Sequence, residues 1–413
     1  MKLKLFWIPY ILVIIFIPAL NLNFGPLFGL RYAQWELTLD ILMAITALAG
    51  LIIVLIRRKS HFLGGVPLLF LTILFILPQL YLWYAHNWGL TELRKIYRFF
   101  LLYLTLFIIP LNFHYTHKER LILIGCLCFC GLCCCAYELK LHPRVWEYSG
   151  LFSDHPEQIM SIFLQKNRFG AYLALWLILC IYAIYISDNY LWLIPGVIFF
   201  FFLLLTCSRG ALLLLFTFVV CFIISFRKEI GMKNMLMILA DILIVLVIMF
   251  LVPPVREFLL KVMRIDHGVS GRDQIWAASW ELYREANPLI GHGMGIEIER
   301  ILTERYRLNV STHNTYLYIL NCGGVCMMLL YILSFAWLLR FHCHKTHYLI
   351  PLLVGTIVYG FFELACAPFD YWHLSNMFTV CLFFIPATVI RNHNHTKLPI
   401  FPPEKEEEGI RDN

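Results

Sequence analysis

Residues 171–206 read AYLALWLILCIYAIYISDNYLWLIPGVIFFFFLLLT, and this stretch decides the class of the fold. An α-helix rises 1.5 Å per residue and a bilayer's hydrocarbon core is about 30 Å thick, so about 20 apolar residues cross it. The run is too long for one crossing. Ser187-Asp188-Asn189 breaks it into two helices that return through the same membrane. Outward from it in both directions the pattern repeats, with breaks at charge clusters and at Pro or Gly. Twelve candidate spans centre on residues 5–21, 36–56, 62–84, 96–112, 119–137, 169–187, 190–206, 211–226, 235–252, 314–339, 347–366 and 372–390.

Composition agrees with this reading. Of 413 residues, 61% are hydrophobic and 14% charged, and mean hydropathy is +0.75. Soluble domains carry about 25% charge and about 45–50% apolar residues. Soluble, secreted, disordered and collagenous classes are excluded. The expected fold is all-α: a polytopic integral membrane protein of about twelve transmembrane helices with one large outer loop. The net charge of +7 is scattered over many loops and forms no basic domain, so no nucleic-acid partner is expected. Of 14 cysteines, Cys126, Cys128, Cys130, Cys133, Cys134 and Cys135 share one apolar block without His or carboxylate among them. They read as small buried hydrophobes rather than metal ligands. The apolar run after Met1-Lys-Leu-Lys has no small-residue cleavage site and reads as an uncleaved first helix.

Cytoplasmic loops of membrane proteins are rich in Lys and Arg. With a cytoplasmic N-terminus, the inner loops hold Arg57-Arg58-Lys59, Lys118 with Arg120, Arg227-Lys228 with Lys233, and Arg340 with Lys345, and the tail adds Arg391 and Lys397. Arg94, Lys95 and Arg98 break the alternation. The expected divisions are residues 1–252 with nine spans, 253–312 as a periplasmic loop with an interfacial helix, 313–391 with three spans, and 392–413 as a cytoplasmic tail. Outward-facing cations near the headgroups, among them Lys166, Arg168, Arg209 and Arg272, suit an anionic lipid substrate such as a lipid diphosphate. Arg209 stands out because only the membrane interface surrounds it.

The outer loop carries the chemistry. Ser270-Gly-Arg-Asp273 reads as a capping box. Arg272, Trp276, Trp280 and Tyr283 then follow at helical spacing, an aromatic stripe that reads as packing or an interfacial face before it reads as a sugar platform. Asn287-Pro288 ends the helix. Further on, Thr312 is expected to cap the tenth span and to place His313 in its first turn. The positive end of a helix disfavours an imidazolium, which suits a general base.

These residues resemble the O-antigen ligase and O-antigen polymerase-like membrane glycosyltransferases. The likeness rests on Leu205-Thr-Cys-Ser-Arg-Gly-Ala211, Ser270-Gly-Arg-Asp-Gln-Ile-Trp276 and Asn287-Pro-Leu-Ile-Gly-His-Gly-Met-Gly295. It continues through His313-Asn314, then nine residues, then Gly324, and more softly through Asn167-Arg-Phe-Gly170. The ligase signature expects Gly, Thr or Tyr where this chain has Met327. The resemblance implies a bacterial inner-membrane enzyme, metal-independent and without cofactor. It would move a glycan from undecaprenyl diphosphate onto lipid A–core at the periplasmic face, with inversion. Its partners would be undecaprenyl-diphosphate-linked O-antigen, lipid A–core and membrane lipids. It maps the catalytic residues to Arg209, Arg272 and His313, with Asn314, Lys166, Arg168 and Trp276 at the substrate. O-antigen polymerisation uses the same donor and a lipid-linked glycan acceptor. A transporter for an anion or lipid-linked glycan is the alternative from another class. For it the sequence offers only Glu363 and Asp241 as acidic residues in or beside spans, and no repeat between the halves.

Overall fold

A computed structural model describes residues 32–56, 63–149, 159–226, 231–251, 272–294, 298–306, 312–340, 348–363 and 377–388, less residues 114, 164 and 379 and with the isolated positions 253 and 257 added. All regular structure in them is helical. The helices are α1 (Tyr32–Ile56), α2 (Gly65–Ala85), α3 (Leu90–Asn112), α4 (His117–Leu141), α5 (Lys166–Ser187), α6 (Leu193–Thr206), α7 (Arg209–Ser225), α8 (Met232–Leu251), α9 (Arg272–Glu285), α10 (Ile298–Tyr306), α11 (Thr315–Leu339) and α12 (Leu349–Gly360). Five of these, α2, α3, α4, α5 and α11, are long and apolar enough to cross a membrane, and shorter apolar helices join them. The first expected span, the Ser270 cap and the C-terminal tail lie outside the described residues, as does much of the twelfth span.

Several helices start earlier than hydropathy suggests. α3 begins at Leu90, α5 at Lys166 and α7 at Arg209, so the charges that end an apolar window lie within the first turns of helices. Hydropathy registers the cost of a charge in lipid, whereas the backbone hydrogen-bond ladder runs on through it. α5 is the buried centre of the bundle, with Trp176, Tyr172 and Tyr182 fully enclosed. α4 and α6 pack along it, and α7 lies between α5 and α12. Of the six cysteines of α4, expected to be buried, Cys128, Cys134 and Cys135 are, Cys126 and Cys130 are half-buried and Cys133 is exposed, because the helix turns one face away from the core; all six have free thiols.

Asp40 corrects the reading of acidic residues. It sits within α1, buried, and joins Glu363 and Asp241 as an acid within a helix of the bundle or beside one. Arg98 forks onto it, with Nε 2.7 Å from Oδ1 and Nη2 2.9 Å from Oδ2, while Arg94 Nε reaches Oδ2 at 2.6 Å. Two of the three cations that break the charge alternation are therefore paired inside the bundle. Removing one member of such a buried pair typically costs about 3–5 kcal/mol.

One break in a helix positions the segment that follows α9. Gly324 in α11 has φ 60° and ψ −157°, a conformation reserved for glycine. The interruption frees backbone groups on both sides, and the segment after α9 takes them. Val325 N donates to the Pro288 carbonyl at 3.0 Å, Cys326 N to Leu289 at 2.9 Å, and His292 N to the Asn321 carbonyl at 2.8 Å. Gln79 of α2 completes the joint: Nε2 donates to the Cys322 carbonyl at 3.2 Å, and Oε1 accepts from Met294 N at 2.9 Å. Backbone approaches backbone so closely that a Cβ on Gly324 would lie 2.4 Å from the Leu289 carbonyl carbon. The loop is thus stapled to α11 and α2, with α9 packed along α11.

Candidate functional site

At one end of the bundle the first turns of α5, α7 and α9 meet the end of α12. Lys166, Asn167, Arg209, Gly210, Arg272 and Glu363 line a cavity there of about 140 Å³. Lys166 and Arg209 are the first residues of α5 and α7, and Arg272 is the first described residue of α9. No N-cap side chain bonds the first turn of α5 or α7. Unsatisfied N–H groups and the positive end of the helix dipole favour an anion. Guanidinium groups beside them supply fork-shaped donors suited to phosphate oxygens.

Local sequence builds this arrangement. α6 ends at Cys207, whose φ of 49° is left-handed, and Ser208 then extends so that Arg209 opens α7 directly. Gly210 makes room for α12: a Cβ there would lie 2.9 Å from the Tyr359 ring and 3.4 Å from Glu363 Cγ. Gly170, of the Asn-Arg-Phe-Gly stretch, lets α5 close on the same hairpin, since its Cβ would lie 2.6 Å from that of Ser208.

Glu363 ties the site together. It stands three residues past the end of α12 and is 7% exposed. Its Oε1 accepts from Arg272 Nη2 at 2.8 Å and from Asn167 Nδ2 at 2.9 Å. Its Oε2 lies 3.2 Å from His313 Nδ1. Thr315 holds the Glu363 backbone by donating Oγ1 to its carbonyl at 2.7 Å. One carboxylate therefore links α5, α9, the start of α11 and α12. With Nδ1–H donating to Glu363, Nε2 of His313 is left free to accept a proton.

His313 itself differs from expectation. Asn314, not Thr312, caps α11: its Oδ1 accepts from Tyr316 N and Leu317 N, both at 3.0 Å. Asn is among the best N-caps because its short side chain reaches back to those orphan donors. His313 thus precedes the helix, with φ 44° in the left-handed region. That conformation is costly for a residue with a Cβ and persists where surrounding bonds over-determine it. Here those bonds are Glu363 on the ring and Trp276 Nε1, which donates to the His313 carbonyl at 3.4 Å.

The remaining sequence candidates separate. Lys166, Arg209 and Arg272 line the cavity. His313, Arg168, Asn314 and Trp276 stand outside its lining: His313 joins it through Glu363, Arg168 is half-buried further along α5, Asn314 is occupied by the cap and the Phe361 carbonyl, and Trp276 abuts His313. Met327, the departure from the ligase signature, is buried against Gly323 in α11. Glu363 is ambiguous from sequence, where an acidic residue in an otherwise apolar window is the one signal it gives.

Residues 194–332 match the family model described as O-antigen ligase. A search of curated proteins finds no match. The matched stretch holds Arg209, Arg272, His313 and Gly324, while Lys166, Asn167 and Glu363 come from helices on either side of it. Residues 194–332 of this chain, whose described helices include five long and apolar enough to cross a membrane, are therefore similar to the O-antigen ligase family.

Proposed function

We propose that this protein transfers a glycan from undecaprenyl diphosphate to a sugar hydroxyl of lipid A–core, at the periplasmic face of the bacterial inner membrane. In this reading the bundle crosses about twelve times, both termini are cytoplasmic, and residues 253–312 form the periplasmic loop. The observation that carries it is the cavity, where three cations line the same space as one carboxylate bonded to a histidine.

Charge supports the donor assignment. Lys166, Arg209 and Arg272 against Glu363 leave two positive charges, which a diphosphate diester's two negative charges balance. As the acceptor oxygen attacks the anomeric carbon, the bond to the diphosphate oxygen breaks and the configuration inverts. The hydroxyl proton passes to Nε2 of His313. The departing diphosphate gains a third negative charge as the imidazole gains its positive one, so the site stays neutral through the step. Fixed donors aimed at developing charge account for more of the rate in many enzymes than any other single effect. Glu363 acts here as the residue that orients the base, holding Nδ1 so that Nε2 faces the acceptor.

The ligase reading is preferred to polymerisation because the signature of His313-Asn314, nine intervening residues and Gly324 is mostly intact; Met327, its one departure, is buried in α11. Purified protein in nanodiscs, given lipid-linked donor and lipid A–core, should shift the acceptor on a gel. His313→Gln retains a polar side chain and cannot accept the proton. General-base catalysis contributes about 10²–10⁴-fold, and the variant should lose that much while still binding donor. Near-native transfer by His313→Gln refutes the base assignment, and transfer only to a second lipid-linked glycan makes the enzyme a polymerase.

A further inference from the structure

The cavity of about 140 Å³ is small beside a pocket that engulfs a drug-sized ligand, roughly 300–1,000 Å³. It suits the diphosphate and leaves the sugars outside. The surface that continues from it is the aromatic stripe of α9. Arg272 opens the helix in the cavity, Trp276 stands one turn on beside His313, and Trp280 and Tyr283 follow on the same face. The rings of Trp280 and Tyr283 lie 5.5 Å apart, and Trp280 is 48% exposed.

We propose that Trp280 and Tyr283 form a glycan-binding ledge that stacks the pyranose rings of the donor chain as it leaves the diphosphate at Arg272. The proposal rests on the glycosyl-transfer reading above. Two observations set this face apart from a bilayer anchor. By helical spacing, Asp273 and Arg284 border the stripe on its solvent side, and the helix as a whole carries Asp273, Glu281 and Glu285 against two arginines. An interfacial helix presents a basic polar face to anionic lipid, and α9 does not. A flat ring flanked by charged hydrogen-bonding groups instead suits a sugar, whose faces are apolar C–H and whose rim is hydroxyl. Tyr283 is fixed for the role by its hydroxyl, which donates to the Pro288 carbonyl at 3.1 Å.

The test uses full-length protein in nanodiscs, with Trp280→Ala, Trp280→Phe and Trp280→Leu. One readout is saturation-transfer NMR with the glycan released from the cell's own lipid-linked pool. Signals should appear with wild type, vanish with Trp280→Ala and return with Trp280→Phe. The second is kinetic: Trp280→Ala should raise KM for a long-glycan donor about 10-fold, the scale of one aromatic stacking contact, with kcat unchanged. Binding of sugar-free undecaprenyl diphosphate should not move. Absence of free-glycan binding to wild type overturns the ledge, as does an equal loss for the sugar-free lipid or full rescue by Trp280→Leu, which marks a bilayer anchor. Failure of wild type to bind the sugar-free lipid, with free-glycan binding intact, overturns the transfer reading and leaves the ledge standing.

Discussion

Gly324→Ala should detach the outer loop from the bundle while the helices stay folded. Two costs set the size of the effect. The backbone at φ 60°, ψ −157° costs a residue with a Cβ about 1–3 kcal/mol. The new Cβ would also lie 2.4 Å from the Leu289 carbonyl carbon and 2.5 Å from its oxygen, backbone atoms that cannot swing aside as a side chain does. The loop must therefore withdraw. Withdrawal breaks the bonds from Val325 N to Pro288 and from Cys326 N to Leu289, each worth about 1 kcal/mol net. Together, about 3–5 kcal/mol shifts docking by about 10²–10⁴-fold, at a tenfold change per roughly 1.4 kcal/mol. Amide hydrogen exchange followed by mass spectrometry reads this directly at His292, Val325 and Cys326, whose protection should fall by that factor while α5 stays protected. Transfer should fall with it, because α9 carries Arg272. Unchanged exchange at those three amides, in a variant that inserts normally, would refute the staple.

Three further outcomes follow from the same contacts. Arg209→Lys and Arg272→Lys should each lower transfer nearly as far as the alanine variants, because an ammonium cannot reproduce a guanidinium fork on phosphate; near-native rates at matched protein level would reduce the requirement to generic positive charge. Asp40→Ala leaves Arg98 buried without its partner and should destabilise the bundle by about 3–5 kcal/mol, seen as a lower thermal-unfolding midpoint in detergent, with Asp40→Ala/Arg98→Met recovering most of it. Glu304→Cys, at an exposed position on α10, should react in a cysteine-free background with an impermeant maleimide added from the periplasmic side; labelling only after the inner membrane is opened would invert the topology.

The contrast between Arg209 and Glu363 shows what the chain states on its own. Arg209 is legible because its context is local: two apolar runs with one charged hairpin between them require an interface, and Thr206-Cys-Ser-Arg-Gly210 supplies it. The apolar helices, the stripe on α9 and the polar start of α11 are legible for the same reason, since hydropathy and helical period are properties of neighbouring residues. The capping residue of α11 is not, because Thr312 and Asn314 are both good caps and only the hydrogen bonds choose between them. Glu363 belongs to the other kind of information. Its partners His313, Arg272 and Asn167 are 50, 91 and 196 residues away along the chain, so no local pattern distinguishes an acid that pairs within a span from one that organises a site. Asp40 is hidden in the same way, its two arginines lying on another helix. Sequence alone determined a helical chain with spans long and apolar enough for a membrane, and cations and a histidine still to be placed. The packing of α5, α7, α9 and α12 decided that Lys166, Arg209 and Arg272 share one cavity and that a single carboxylate joins Arg272 to His313, because these helices meet only where buried faces align.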